Sequence, residues 1–266
     1  MKRKLVFLKL GGSLITVKEQ PYTPRQAVLE RLAREIAQAL AQDGDLQVLL
    51  GHGSGSFGHV PADQYKTRLG VRSAEEWRGF VEVWHQAAEL NHLTMQALAK
   101  AGLPALAFHP MTMVIARHGM VASWTLEPLK RALQEGLLPV IHGDVVFDVQ
   151  LGGTILSTED LFSYLAAEMH PRRLLFAGIQ AGVWEDFPHN TSLLTEITPA
   201  SFKQIEPRLR GSSATDVTGG MAEKVRQIIT MVEAVHGLEA AVFSGEEPGN
   251  VSRALLGENV GTSIHT

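Results

Sequence analysis

A chain of 266 residues that is 45% hydrophobic can bury a large core, so we expect a globular protein. Its formal charge of −4 at pH 7 gives no excess of Lys and Arg for a nucleic-acid backbone, which argues against a nucleic-acid partner. The absence of cysteine excludes disulfides, thiolate metal sites and cysteine nucleophiles, and it fits a reducing compartment. No apolar run approaches the roughly 20 residues that span a bilayer, so we predict a cytoplasmic protein with no membrane partner.

Short apolar runs alternate with longer amphipathic ones, which is typical of a sheet covered by helices. Thr23, with Gln26, is expected to cap the first long helix, and Ser73, with Glu76, the second. In chain order the first half predicts a strand over 5–10, a helix over 24–41, a strand over 46–50, a long helix over 73–100 and a strand over 103–108.

The second half continues the α/β pattern, with a polar, loop-rich stretch over residues 184–214. Ser157 and Asp160 are expected to cap a helix that ends near Met169. The other predicted elements are turns near 117–119 and 151–153, helices over 126–134, 199–205 and 250–256, a helix that follows 215–221 and ends near 236, and strands over 138–141, 173–177 and 240–243. This order favours one sandwich whose halves meet at a cleft rather than two independent domains.

Two glycine-rich turns follow the first two predicted strands, at Gly11-Gly12-Ser13 and over residues 51–59, and the second ends at His59. Glycines at a strand end let backbone N–H groups approach an anion closely, so we expect two phosphates. The second turn also matches the dinucleotide pattern G-x-G-x-x-G. However, Pro61 is expected to interrupt the helix which that pattern requires, and the next strand is too distant.

Lysines near these turns are candidate phosphate-binding cations, because phosphoryl transfer depends mainly on positioning and charge neutralisation. Lys9 ends the first strand beside the glycines, and Lys224 lies one helical turn beyond Gly220. Lys18 lies in a polar loop after the first turn. The alternative for each is an ordinary solvated lysine, and for His59 an ordinary surface histidine.

Segments spread over nearly the whole chain resemble the amino acid kinase family, whose members fold as an open αβα sandwich with a mainly parallel sheet. The matching segments are 9–13, Lys18, 52–59, 139–144, 215–221 with Lys224, and 248–262. The stretch Ser56-Phe57-Gly58-His59 is most similar to the branch that uses isopentenyl phosphate as acceptor. The resemblance implies ATP and Mg²⁺, a homodimer, and dimethylallyl phosphate as a second acceptor.

The resemblance also implies the site residues and how the chain is divided among them. One domain would cover residues 1–266, with the acceptor phosphate bound by the part up to about 170 and the nucleotide by the part from about 171. Implied catalytic residues are Lys9, Lys18, His59, Glu159 and Lys224. Implied ATP-binding residues are Lys9, Leu10, Gly11, Gly12, Ser13, Gly55, Gly220 and Lys224, and the acceptor would be bound by Ser54, His59 and Thr158.

The acidic residues of the chain are less clearly assigned. Asp144, Glu159 and Asp216 lie at strand ends or helix starts, so each could orient lysines or act as a cap. Relatives more often carry Gly and Asp near Glu159, which we expect to organise Lys9 and Lys224. Relatives also carry two aspartates where this chain reads Gly-Ile-Gln-Ala-Gly at 178–182, so the adenosine contacts are not predicted.

An isoprenoid tail would need an apolar pocket, for which the stripe Phe80, Val83, Trp84 and Ala87 is a candidate. The alternative is that this stripe is core. The predicted reaction is direct in-line phosphoryl transfer from ATP to isopentenyl phosphate. Two alternatives stay open: a sibling kinase for another phosphate or a phosphonate, such as a phosphonate antibiotic, and a non-catalytic nucleotide or metabolite sensor.

Overall fold

The computed structural model describes residues 4–209 and 220–266, and its centre is an eight-stranded sheet in the order β12-β14-β13-β9-β1-β2-β6-β3. The pairs in this sheet are parallel except β13 with β14. A second sheet has the order β5-β4-β7-β8, and β10 pairs with β11. The strands are β1 Lys4–Leu10, β2 Leu46–His52, β3 Ala105–Ala107, β4 Val114–Arg117, β5 Met120–Trp124, β6 Leu138–His142, β7 Asp144–Asp148, β8 Gly152–Leu156, β9 Arg173–Gly178, β10 Val183–Trp184, β11 Leu193–Leu194, β12 Glu196–Ile197, β13 Glu239–Ser244 and β14 Thr262–Ile264.

Helices cover both faces of the central sheet. Residues of α2, α4 and α10 pack on one face, and residues of α6, α7, α8 and α9 on the other. The helices are α1 Gly12–Ile15, α2 Gln26–Gln42, α3 Gly55–Tyr65, α4 Ala74–Lys100, α5 Pro110–Met113, α6 Glu127–Gln134, α7 Thr158–Met169, α8 Pro199–Leu209, α9 Gly220–Ala234 and α10 Asn250–Leu255, with a 3₁₀ turn at Thr67–Leu69. The predicted αβα sandwich with a mainly parallel sheet is confirmed. None of the helices within the described ranges is long and apolar enough to span a bilayer.

The alternation of side chains along β1 and β2 decides which layer each functional residue meets. Phe7 and Leu49 pack with the α7 layer, whereas Leu8 and Leu50 pack with the α4 layer. Because side chains alternate between faces, Lys9 and Gly51 lie on the α7 side and His52 lies on the α4 side. Lys9 and Gly51 are also register partners in the parallel ladder.

Gly51 lets α7 approach the sheet closely beside Lys9. A Cβ at Gly51 would lie 2.5 Å from Thr158 Cγ2 and 2.8 Å from Phe162 Cζ. Real Cβ atoms do not come this close to other heavy atoms, so only glycine fits between β2 and the first turns of α7.

Most predicted elements are present, and two local predictions are wrong. The capping boxes at Ser73 and Ser157 are confirmed. The predicted capping box at Thr23 is wrong. Helix α2 begins at Gln26, and the preceding residue, Arg25, makes no side-chain capping bond. Pro61 does not interrupt the helix after the second glycine turn, because α3 runs through it. Sequence reasoning also missed β14, which pairs with β13 and extends the sheet.

We expect Gly51→Ala to lower the free energy of unfolding by about 1–3 kcal/mol, the range for overpacking a well-filled interior. The added methyl group must push α7 away from the end of β2. Urea denaturation measures the effect, and Gly44→Ala is the matched control, because a Cβ there meets nothing within 4 Å. Equal stability of the two variants would contradict the proposed close approach of α7.

Candidate active site

The two glycine turns lie in backbone contact at the carboxyl edge of the central sheet. A Cβ on Gly12 would lie 2.5 Å from the Gly55 nitrogen, and a Cβ on Gly53 would lie 3.0 Å from the Gly12 nitrogen. The amide of Gly53 donates to Leu10 O at 3.1 Å, which joins the ends of β1 and β2. The turns predicted to bind separate phosphates therefore form one continuous backbone surface.

Gly55 starts α3 in a conformation that only glycine adopts readily there. Its φ is +51°, and a Cβ would lie 2.3 Å from Thr16 Oγ1. Thr16 donates its hydroxyl to Gly12 O at 2.8 Å and accepts the Ser56 amide at 3.0 Å. One buried threonine thus ties the first glycine turn to the start of α3.

Lys9 and Glu159 form a buried ion pair between β1 and α7. Their side chains are 12% and 10% exposed, and Lys9 Nζ bonds to Glu159 Oε1. Burial by itself would raise the pKa of Glu159, but the charges of Lys9 and Lys224 outweigh burial and hold that pKa below its ordinary value. Glu159 therefore stays ionised between two lysines that come from β1 and α9.

Thr158, predicted to bind the acceptor, directs its hydroxyl into the fold. Thr158 Oγ1 donates to His52 O at 2.7 Å, and the residue is buried. What remains for an anion is its backbone amide, because amides in the first turn of a helix have no intrahelical acceptor. The predicted binding of the acceptor by Thr158 stays a prediction.

The other predicted acceptor and cation residues lie around α3. Ser54 precedes α3, and its carbonyl accepts the amides of Phe57 and Gly58. His59 lies on α3 and is exposed. Lys18 is exposed in a turn whose loop is joined to α3 by Tyr22, through a backbone bond to Ser56 and ring contact with Phe57. Within the described ranges Lys18 forms no ion pair with another candidate residue.

The predicted nucleotide-binding residues lie partly within the described ranges. Gly220 and Lys224 lie in the first turns of α9, whereas the predicted segment at 215–219, with Asp216, lies outside the described residues. Residues 178–182 are the segment that lacks the two aspartates. There, Gln180 Oε1 accepts the indole N–H of Trp184 at 3.1 Å. Gln180 thus supports its own turn.

The apolar stripe on α4 belongs to a small third core beneath the second sheet. Phe80 and Val83 are buried there with Val71 and Val145. Trp84 packs at the edge of this cluster and is half-buried. Ala87 is also buried, so in this structure the core interpretation describes three of the four residues of the stripe.

Sequence reasoning assigned no role to a polar cluster on the α4 side of the same sheet edge. The rings of His52 and His142, register partners on β2 and β6, stack with centroids 5.4 Å apart. His52 Nε2 lies 3.1 Å from Asn91 Oδ1, and His142 Nε2 lies 3.4 Å from His109 Nδ1. The only local signal was a histidine at the end of each of two buried strands.

Asp144 lies beside this cluster, at the start of β7. One carboxyl oxygen accepts the amide of Val145 at 2.8 Å, and the other is 4.0 Å from His142 Nε2. Burial raises the pKa of Asp144 to about 7 and lowers the pKa of His142 to about 3. This side of the site therefore favours uncharged groups, in contrast to the ionic α7 side.

Residues 4–244 match the sequence pattern of the amino acid kinase family. The chain belongs to this family. Among relatives, this family member is 34% identical to the isopentenyl phosphate kinase of Methanothermobacter thermautotrophicus, over 98% of each chain. It is 36% identical to the isopentenyl phosphate kinase of Haloferax volcanii, over 94% of this chain and 98% of that one.

A solved structure supports the assignment of this chain to the amino acid kinase family. It is described as "X-ray structures of isopentenyl phosphate kinase" and is 29% identical, with a TM-score of 0.81 over 98% of this chain and 99% of that one. The predicted family resemblance is confirmed.

We expect Lys9→Met to lower the free energy of unfolding at pH 7 by about 3 kcal/mol, because it leaves a buried carboxylate without its bonded partner. Adding Glu159→Gln in the same chain removes that unpaired charge and should restore part of the loss. Urea denaturation of both variants measures the difference. A double variant no more stable than Lys9→Met would contradict the pairing.

We expect Asp144→Asn to stabilise the protein more at pH 8 than at pH 5. Between the ordinary aspartate pKa of about 3.9 and its folded pKa of about 7, Asp144 binds more protons in the folded chain, so its contribution to stability falls as pH rises. Denaturation at both pH values measures this. Asp148→Asn is the contrast, because backbone amides hold the pKa of Asp148 below its ordinary value, so that variant should be destabilised at both. An equal effect of Asp144→Asn at both pH values would contradict the raised pKa.

Proposed function

We propose that this chain is an ATP-dependent kinase that transfers the γ-phosphoryl group of ATP to isopentenyl phosphate, forming isopentenyl diphosphate and ADP. The observation that carries the proposal is that its similarity to isopentenyl phosphate kinases extends over nearly the whole chain. The joined glycine turns and the lysines around Glu159 fit a reaction between two phosphates. The product would serve isoprenoid biosynthesis.

The proposed catalysis is positioning and charge neutralisation. Lys9 and Lys224 would bind the transferring phosphoryl group, and a lysine about 4 Å from a phosphate oxygen is worth about 4 kcal/mol at an effective dielectric near 20. Glu159 would hold these lysines, and Lys18 would be a further cation. Gly11, Gly12, Ser13, Gly55 and Gly220, with Leu10, would line the ATP phosphates.

The acceptor phosphate would be bound by His59, Ser54 and the amide of Thr158. A phosphate monoester is largely ionised at pH 7, since its second pKa is about 6, so no general base is needed. Attack of its oxygen on the γ-phosphorus forms the new P–O bond as the bond to ADP breaks, with inversion in one in-line step.

Mg²⁺ enters this proposal as part of the MgATP substrate. Within residues 4–209 and 220–266 no cluster of three or more His, Asp or Glu side chains could hold a metal ion. Mg²⁺ usually keeps several waters and binds substrate phosphates, so a Mg²⁺ ion bound to ATP does not require a cluster of three protein ligands. The division into acceptor and nucleotide parts, the cytoplasmic location and the homodimer stay predictions.

A panel of acceptors tests the proposed function. The purified protein is incubated with MgATP and isopentenyl, dimethylallyl or geranyl phosphate, or a phosphonate, and ADP and the phosphorylated product are measured. We expect the highest kcat/KM with isopentenyl phosphate. Preference for a phosphonate would favour a sibling kinase, and tight binding without transfer would favour a sensor.

We expect His59→Ala to lower kcat/KM for isopentenyl phosphate by about 10- to 100-fold, since a hydrogen bond to a charged group is worth about 1.5–3 kcal/mol. KM for ATP should change little. His236→Ala, which alters an exposed histidine beyond α9, is the control and should match the parent. If His59→Ala also matches the parent, His59 does not bind the acceptor.

A further inference from the structure

The end of β2 is held by a buried side chain of the long helix α4. His52 and Asn91 are both buried, and His52 Nε2 lies 3.1 Å from Asn91 Oδ1. His52 Nδ1 lies 3.2 Å from the carbonyl oxygen of Gly53. Neither side chain belongs to the proposed phosphate contacts, yet His52 immediately precedes Gly53 and Ser54, which lead into α3 with Gly55 and His59.

The hydrogen bonds of His52 define which ring nitrogen carries its proton. A neutral imidazole has one N–H, and here both nitrogens face an oxygen. The Gly53 carbonyl can only accept, whereas a half-turn of the Asn91 amide presents its NH₂ group to the ring. Neutral His52 is therefore satisfied only with its proton on Nδ1 and with Asn91 as donor to Nε2.

The surroundings of His52 oppose the alternative, a doubly protonated ring. Burial lowers the pKa of His52 and outweighs the opposing effects of the Gly53 carbonyl and of an Asn91 amide turned with Oδ1 toward the ring, and the positive charge of Lys9 on β1 lowers that pKa further. His142 stacks on the His52 ring and is itself close to His109 and Asp144. Burial lowers the pKa of His142 and the pKa of His109. Glu159, the nearby carboxylate of α7, is paired with Lys9.

The backbone of His52 links three parts of the site. Its carbonyl accepts the Thr158 hydroxyl of α7 at 2.7 Å and the Gly143 amide after β6 at 3.1 Å. The next residue, Gly53, donates its amide to Leu10 O of β1, and its carbonyl oxygen lies 3.2 Å from His52 Nδ1. A shift of His52, whose ring is held between Asn91 and Gly53, would therefore disturb the glycine turn and the start of α7 together.

We propose that Asn91 and His52 are positioning residues for the phosphoryl transfer: the Asn91 amide holds an uncharged His52 ring, and that ring fixes the β2 end between the second glycine turn and α7. This inference rests on the proposed kinase function. It assigns to α4 a role in orienting the reacting phosphates without touching them.

Three variants test it in the full chain. Asn91→Leu removes the donor and keeps the number and branching of the side-chain heavy atoms. Thr94→Val is the matched control, because Thr94 is buried on the same helix and its hydroxyl donates to Leu90 O within α4. Asn91→Asp offers a carboxylate that only accepts, so it pairs with a doubly protonated His52 and raises the pKa of that ring.

We expect Asn91→Leu to lower kcat by about 10- to 100-fold, the scale for a misplaced reacting group, with KM for ATP unchanged and with Thr94→Val at the parent level. Asn91→Asp should be more active than Asn91→Leu at pH 6 and lose this advantage as pH rises through the raised pKa of His52. The parent enzyme should show no such loss. Equal kcat for Asn91→Leu and Thr94→Val, or parallel pH profiles for the two Asn91 variants, would overturn the proposal.

A second measurement decides the matter if an Asn91 variant fails to fold. In ¹⁵N-histidine-labelled parent protein, NMR distinguishes protonated from unprotonated ring nitrogens, and we expect the His52 proton on Nδ1 at pH 7. A proton on Nε2, or on both nitrogens, would overturn the assignment. If the parent protein transfers no phosphoryl group, the proposed function fails, and the NMR result still tests the bonding of His52 separately.

Discussion

The close approach of α7 to the ends of β1 and β2 is the constraint on which the candidate site depends. Gly51 leaves the space, and the Thr158 hydroxyl anchors the helix start on His52 O. That contact brings Glu159 next to Lys9, and the two charged side chains are buried together. A buried ion pair contributes little net stability, but breaking one costs about 3–5 kcal/mol, so the pair makes the position of α7 specific.

Strand geometry divides the site into two layers with different electrostatics. Alternate residues at the end of β2 face opposite helices, so Gly51 contacts α7 while His52 contacts α4. The α7 side holds the ionic pair of Lys9 and Glu159. On the α4 side, burial opposes the charged forms of His52, His142 and Asp144. The end of β2 therefore contacts both helix layers and leads directly into one glycine turn.

Local chemistry made much of the fold predictable from sequence. The capping boxes at Ser73 and Ser157 need only residues three apart, and the structure contains both. Lys9 and Glu159 could be chosen as candidates because one ends a strand and the other starts a helix. The predictions failed where tertiary contacts override local preference, as at Thr23, whose neighbour Pro24 forms a bridge with Thr16.

The polar cluster could not be predicted, because its partners are distant in sequence. His52 and His142 meet only because β2 lies next to β6, and Asn91 reaches His52 only because α4 covers that face. No short motif encodes strand order. Pro61 shows that a local rule can also fail. Helix α3 begins at Gly55 and carries this proline in its interior, although proline usually interrupts a helix.

The charge balance on the α7 side explains why a glutamate can lie among cations that are proposed to bind phosphate. Lys9 and Lys224 carry two positive charges and Glu159 one negative charge, so the trio keeps a net charge of +1. Without the carboxylate, two lysine charges at a buried edge would repel each other. Glu159 offsets that repulsion, and in the proposed reaction a phosphoryl group would meet cations already oriented by a carboxylate, which lowers the reorganisation needed during transfer.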